Sequence, residues 1–178
     1  MKSTIRTLGV LTLAALTLAA GQPVTNAATN QATDSVDARL AWLKTSGTKV
    51  EYRRADPGEP MTPGVQVIPV TGGSTAAMAQ CNRGWLCLYA DASRGGLLVP
   101  LASGWNVPDL SNVCSNSICY KFNDRMSSWW NRSQYDNCWH YDAHYRGTFR
   151  NMRAGTRSDN VGPADNDKAS SISGGQCV

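Results

Sequence analysis

Residues 80 to 178 contain no glutamate, and the whole chain has two histidines, His140 and His144. General acid–base catalysis draws mainly on His, Glu and Asp, and the aspartates of this region sit mostly in turn-like sequence. Gly-x-Ser-x-Gly is absent, and six cysteines leave no odd thiol for a nucleophile. His140 and His144, four apart in a strand-like run, are expected to share a face as half-exposed strand residues; a metal pair is the competing use. The chain therefore reads as a non-enzyme. Cys-x2-Cys pairs are missing too, which argues against structural zinc. Beyond the N-terminus no run is long and apolar enough to cross a bilayer.

The N-terminus has the makings of an export signal. Lys2 and Arg6 precede an unbroken run of Leu, Ala, Thr, Val and Gly from Leu8 to Ala20, and Thr25-Asn26-Ala27 is the best cleavage point. Residues 1–27 are expected to be removed, leaving a secreted protein. That removal leaves 15 basic residues against 13 acidic ones, about +2. Such a balance supports neither nucleic-acid nor anionic-membrane binding, which need concentrated basic surface. The cysteines are Cys81, Cys87, Cys114, Cys119, Cys138 and Cys177. An even number behind an export signal points to disulfides in an oxidising compartment.

Every cysteine and most aromatic residues fall after position 80. Residues 80–178 are thus expected to form the folded domain, at a normal size for one. Residues 71–80, "TGGSTAAMAQ", suit a linker. Residues 28–79 are expected as a pro-segment or accessory piece, with a disordered spacer as the alternative. Within it Val36, Leu40 and Leu43 lie at helical spacing, Asp34 is a possible cap and Gly47 a stop. "GVQVIPV", residues 64–70, suits a short edge strand because of Pro69. After residue 80 the apolar runs are short, aromatic or β-branched, and broken by Gly, Asn, Asp and Ser. That pattern is all-β.

Two pieces of this region recur. "CLYADASRGG", Cys87 to Gly96, and "CWHYDAHYRG", Cys138 to Gly147, share Cys, Asp-Ala and Gly at identical spacing. Each is followed by Asn-Asp-x-x-Ser-Ser, at 123–128 and 166–171. Both pieces in the same order twice indicate an internal duplication. Gly96 and Gly147 fall where a hairpin folds over and positive φ is needed. One such unit cannot bury its apolar face alone, so two are expected to pack as a β-sandwich. Of the 15 pairings six cysteines allow, the expected set is Cys81–Cys87, Cys114–Cys119 and Cys138–Cys177. The last closes about 40 residues and contributes roughly 4 kcal/mol in the chain-entropy model.

The Asn-Asp-x-x-Ser-Ser loops offer amide, carboxylate, hydroxyl and backbone oxygens, the donors a hard cation prefers. The same residues also hold turns by bonding to nearby backbone with no metal present. These loops resemble the signature of βγ-crystallin domains, in which paired Greek keys bind two calcium ions. The resemblance implies a calcium site from Asn123, Asp124, Arg125 and Ser127 with Asn166, Asp167, Lys168 and Ser170; Arg125 and Lys168 would contribute carbonyls. So few carboxylates suggest weak binding, about 10⁻⁴ to 10⁻³ M. The family's aromatic-x4-aromatic-x-Gly hairpin is partly kept: Arg94 replaces its second aromatic in one copy, His140 its first in the other.

"CNRGWLCLYADASRGG", "FNDRMSSWWN" and "ADNDKASS" behind an export signal further resemble the secreted bacterial peptidase inhibitors of family I36. That resemblance implies a two-Greek-key βγ-crystallin-like sandwich and a secreted protease, most readily a metalloprotease, as partner. The candidate inhibitory loop is Val113, Cys114, Ser115, Asn116, Ser117, Ile118 and Cys119. A Cys114–Cys119 bridge would pin it, and Val113 and Ile118 would offer apolar side chains to the protease cleft; a plain stapled turn is the alternative. A monomer is expected. Two other functions stay open: a calcium-binding structural or stress protein, and a killer-toxin-like antimicrobial protein using exposed Trp129 and Trp130. Asn131-Arg132-Ser133 is a glycosylation sequon in a host that glycosylates.

Overall fold

The computed structural model describes residues 30–69, 80–175 and Cys177. The expected signal peptide, and all of the expected linker but Gln80, lie outside them. The first element is a helix, Asn30–Thr45. Asp34 lies inside that helix rather than capping it, while Gly47, at φ 66°, follows its end. The strands are β1 Glu51–Arg54, β2 Ile68–Pro69, β3 Trp85–Asp91, β4 Gly95–Ala102, β5 Val113–Ser115, β6 Ile118–Lys121, β7 Ser128–Asn131, β8 Asn137–Asp142, β9 Arg146–Met152, β10 Arg157–Ser158 and β11 Ser171–Gly174. They form three sheets, ordered β1-β6-β5, β10-β7-β3-β4-β2 and β11-β8-β9.

The duplication is visible in this order. In each unit a hairpin (β3–β4 or β8–β9) is joined on its first strand by the strand that follows the Asx/Ser loop, β7 or β11. Both hairpins carry a β-bulge at the matching place, between Tyr89 and Asp91 and between His140 and Asp142. Ser93, Arg94 and Gly96 have φ of 56°, 61° and 74°; His144, Tyr145 and Gly147 have 60°, 62° and 75°. A Cβ on Gly96 would lie 2.6 Å from Asp91 Oδ2, and one on Gly147 would lie 2.5 Å from Asp142 Oδ2. Glycine is therefore required twice by both φ and space.

The two units do more than stack. β10, which follows the second hairpin, pairs with β7 of the first unit, and Val107, which follows the first hairpin, bridges to Ile172 in β11 of the second. Each hairpin turn also donates to the other unit's crossing segment: Ser93 N–H to Asp159 O (2.7 Å) and His144 N–H to Pro108 O (2.6 Å). Each unit thus completes the other's sheet, an exchange that the repeat alone does not disclose.

Strand β3 is buried on both faces by ordinary alternation. Leu86, Leu88 and Ala90 enter the main core, and Cys87 and Tyr89 join Cys81 and Leu98 in a second cluster on the opposite face. The disulfides are Cys81–Cys87, Cys114–Cys119 and Cys138–Cys177. The segment before residue 70 is built into this body. Leu43, Val50, Val65 and Val67 are buried in the main core, with Val36 and Leu40 packed against it. β1 extends the β6–β5 hairpin, and β2 lies on the edge of β4.

Candidate functional site

The disulfide ring is a β-hairpin. Cys114 and Cys119 face each other in register, and Asn116 and Ser117 take φ of 53° and 62°. Two consecutive left-handed residues are what a tight two-residue hairpin turn requires, and Asn favours it. β1 flanks β6 on its other side, and Ala55 N–H, just past β1, donates to Ser117 O (2.9 Å), so the hairpin is held from both sides. Val113 and Ile118 do not serve the role expected of them. Both are fully buried in the main core, because they are the inward members of their strands. Cys114, Ser115 and Cys119 are buried as well; only Asn116 and Ser117 are exposed.

Beside this ring stands a group that no motif signals. Glu59 receives two bonds from the Arg53 guanidinium, at 2.6 and 2.7 Å, and another from Asp56 N–H. Asn112 Nδ2 adds a fourth at 3.2 Å. The Arg53 bonds, then those from Asp56 and Asn112, hold the Glu59 carboxyl down at about 2. Glu59 Oε1 lies 3.6 Å from Cys114 Sγ. With both sulfurs committed to the disulfide, this group is an electrostatic brace rather than a metal centre.

The two Asx/Ser loops, 43 residues apart in sequence, meet. Asp124 N–H donates to Ala169 O (2.8 Å), and Asp167 N–H donates to Met126 O (3.1 Å), a reciprocal pair across the duplication. Both aspartates are left-handed, at φ 54° and 57°. Ser170 Oγ donates to Asp124 Oδ1 (3.1 Å), and Asn123 Nδ2 to Asp124 Oδ2 (3.2 Å). Ser127 and Ser170 are buried, and their N–H groups bond the carbonyls of Tyr89 and His140 (3.0 and 2.8 Å). Asn166 is half-buried, Arg125 lies half-buried along the surface, and Lys168 is exposed.

The second serine of each loop has a structural use. Ser128 Oγ donates to Asp91 O (2.6 Å) and accepts from Arg94 N–H (3.0 Å). Ser171 Oγ donates to Asp142 O (2.7 Å) and accepts from Tyr145 N–H (3.0 Å). Each serine therefore clamps the strained turn of its own unit's hairpin. The first serine has a different use in the second copy, where Ser170 Oγ reaches Asp124 of the other loop.

The histidines part company, because β8 ends at Asp142. His140 is buried, with Nε2 2.9 Å from Ser173 Oγ, and burial lowers its pKa. His144 is exposed in the turn. Nor do the tryptophans form an exposed pair. Trp129 is buried, and Trp130 carries the guanidinium carbons of Arg132 and Arg94 at 4.7 and 5.7 Å from its ring centre. Arg94 also pairs with Asp159, which explains how a cation replaces an aromatic at that turn.

Residues 74–152 match the sequence profile of peptidase inhibitor family I36. Among solved structures, one described as the evolution of the eye lens βγ-crystallin domain fold is 20% identical, covers 61% of this chain and 94% of its own, and has a TM-score of 0.46. A βγ-crystallin from Ciona intestinalis is 22% identical over 51% of this chain and 99% of its own, TM-score 0.41. A βγ-crystallin domain from Clostridium beijerinckii is 25% identical over 50% and 94%, TM-score 0.39. No curated protein matches the chain in sequence.

Proposed function

From the premise that residues 74–152 belong to a peptidase inhibitor family I36 domain, we propose that the chain is a secreted inhibitor whose contact with its protease is the tip of the β5–β6 hairpin. The observation that carries this reading is the exposed, immobilised pair Asn116–Ser117. A loop already fixed in its bound shape loses little entropy on entering a cleft. The disulfide, β1 and the Ala55 bond supply that fixation here. With Val113 and Ile118 committed to the core, recognition falls to an amide, a hydroxyl and the turn backbone. A metalloprotease is the favoured target, and export to an oxidising compartment fits three disulfides.

The test is a panel of secreted metalloproteases and serine proteases assayed with the full mature chain. Asn116→Asp with Ser117→Gly preserves the preferred turn chemistry while removing the tip's amide and hydroxyl. Inhibition of a metalloprotease is expected, weakened about tenfold or more in this variant, the loss of roughly 1.4 kcal/mol of binding, with melting unchanged. Equal inhibition by parent and variant would place the contact elsewhere.

Calcium is the second reading, favoured by Asn123 Oδ1, which is buried without a partner among the described residues beside the Asp124–Ser170 contact. Asn123, Asp124 and Ser170 would hold the ion, whose charge would stabilise the joined loops. A calcium-dependent rise in Tm is expected at millimolar ion, absent in Asp124→Ala. Identical melting with calcium and with chelator would reduce the loops to turns.

A further inference from the structure

The two units differ at one edge. In the first, the preceding segment covers β4: Ile68 pairs with Leu98 and Pro69 with Leu97, and Val65 bridges Leu101. Gln66 N–H donates to Pro100 O (3.2 Å), and Ala102 N–H donates to Gly64 O (2.8 Å). In the second unit the counterpart of β4 is β9, which among the described residues pairs only with β8. Residues 146–151 of it are exposed, and Met152 at its end is buried.

The repeat makes the comparison residue by residue. Gly147 follows Gly96 by 51 positions, which sets Phe149 at the place of Leu98. The pairing agrees: Tyr89 lies opposite Leu98 and His140 opposite Phe149. Leu98 is 0% exposed and Phe149 42%. Part of what separates them is β2, whose Ile68 pairs with Leu98 and has no counterpart beside Phe149 among the described residues. At the ends of β9, Arg146 and Arg153 make no ion pair among the described residues, whereas Arg150 is held by Asp165 (2.8 Å).

We propose that the open edge of β9 takes up an extended segment of a partner protein, added antiparallel as β2 is on β4, with an apolar residue opposite Phe149 and carboxylates near Arg146 and Arg153. Main-chain bonds supply affinity in such strand addition, and the alternate side chains supply selectivity. A second copy of this chain suits the edge poorly, because two β9 strands would crowd the Arg146 and Arg153 of both copies, while an acidic segment neutralises them. Phe149 O now accepts from Arg150 Nη1 (3.2 Å), a bond the incoming strand would replace. This surface is separate from the hairpin tip, and its success or failure leaves the inhibitor reading untouched.

The probe is a blocked five-residue peptide, Asp-Val-Ile-Val-Asp, titrated into the full mature chain and followed by amide chemical shifts. Saturable changes confined to β9 and its β8 neighbours are expected, weakening with added salt. They should vanish with a peptide N-methylated at alternate residues, and fall several-fold with lysines in place of its aspartates. Phe149→Ser and Arg146→Glu/Arg153→Glu should each weaken binding without lowering Tm. Absent or scattered shifts, indifference to N-methylation, or dimerisation through β9 without peptide would each overturn the proposal. In the absent-shift case the arginines serve only to keep this edge from pairing.

Discussion

Replacing Asn131 with alanine is expected to lower stability by about 3 kcal/mol, roughly 6–12 °C in Tm for a chain of this size. Its side chain is fully buried and fully used. Nδ2 donates to Met152 O (2.7 Å) and Tyr135 O (2.8 Å). Oδ1 accepts from Ser133 N–H (3.0 Å) and Oγ (2.7 Å). Its own N–H bonds Thr156 O (2.9 Å), so this one residue joins β7 to β9 and to the turn before β10. Alanine would take a bond from buried Met152 O and leave Ser133 N–H without its acceptor, each at roughly 1–3 kcal/mol, while Tyr135 O keeps its bonds from Ser133 Oγ and Asn137 Nδ2. Asn131→Asp keeps the acceptor and loses both donated bonds, so it should be nearly as damaging. Thermal melting checks both; a change below about 1 kcal/mol, the loss of one ordinary bond, would contradict this account. The same burial closes the Asn131-Arg132-Ser133 sequon, whose nitrogen no glycan can reach in the folded protein.

Ser128→Ala and Ser171→Ala are each expected to cost about 2–3 kcal/mol, because each removes a buried hydroxyl that bridges two backbone groups of a hairpin turn. The first strands Asp91 O and Arg94 N–H, the second Asp142 O and Tyr145 N–H. Those turns contain left-handed non-glycine residues, which hold that shape only where the surroundings impose it. Urea titration should show the midpoint falling while the slope stays constant. Ser127→Ala provides the contrast. Its backbone N–H bonds Tyr89 O, so its loss should cost less than half as much without calcium. Equal effects at Ser127 and Ser128 would dismiss the division of labour between the paired serines.

Much of the fold was legible beforehand because its signals are local. Cys-x3-Asp-Ala-x3-Gly recurs at identical spacing, each copy is followed by Asn-Asp-x-x-Ser-Ser, and a repeat of that kind marks two copies of one unit. The candidate inhibitory loop was only half legible. Its cysteines and its Asn-Ser turn announce a hairpin, but the side on which Val113 and Ile118 fall depends on what packs beneath. There the structure places the main core. The shared face expected of His140 and His144 failed for a related reason. The strand period ends at Asp142, where the turn begins.

Sequence alone determined the duplicated β units, the cysteine staples and the two oxygen-rich loops, since all three rest on residue identity and spacing. Tertiary structure decided the crossing of β10 and Val107 into the opposite unit, and the burial of Val113, Ile118 and Asn131. It also decided that β2 covers β4 while β9, among the described residues, carries no strand on its outer edge. Those outcomes depend on contacts between residues far apart in the chain, whose energies no local pattern records.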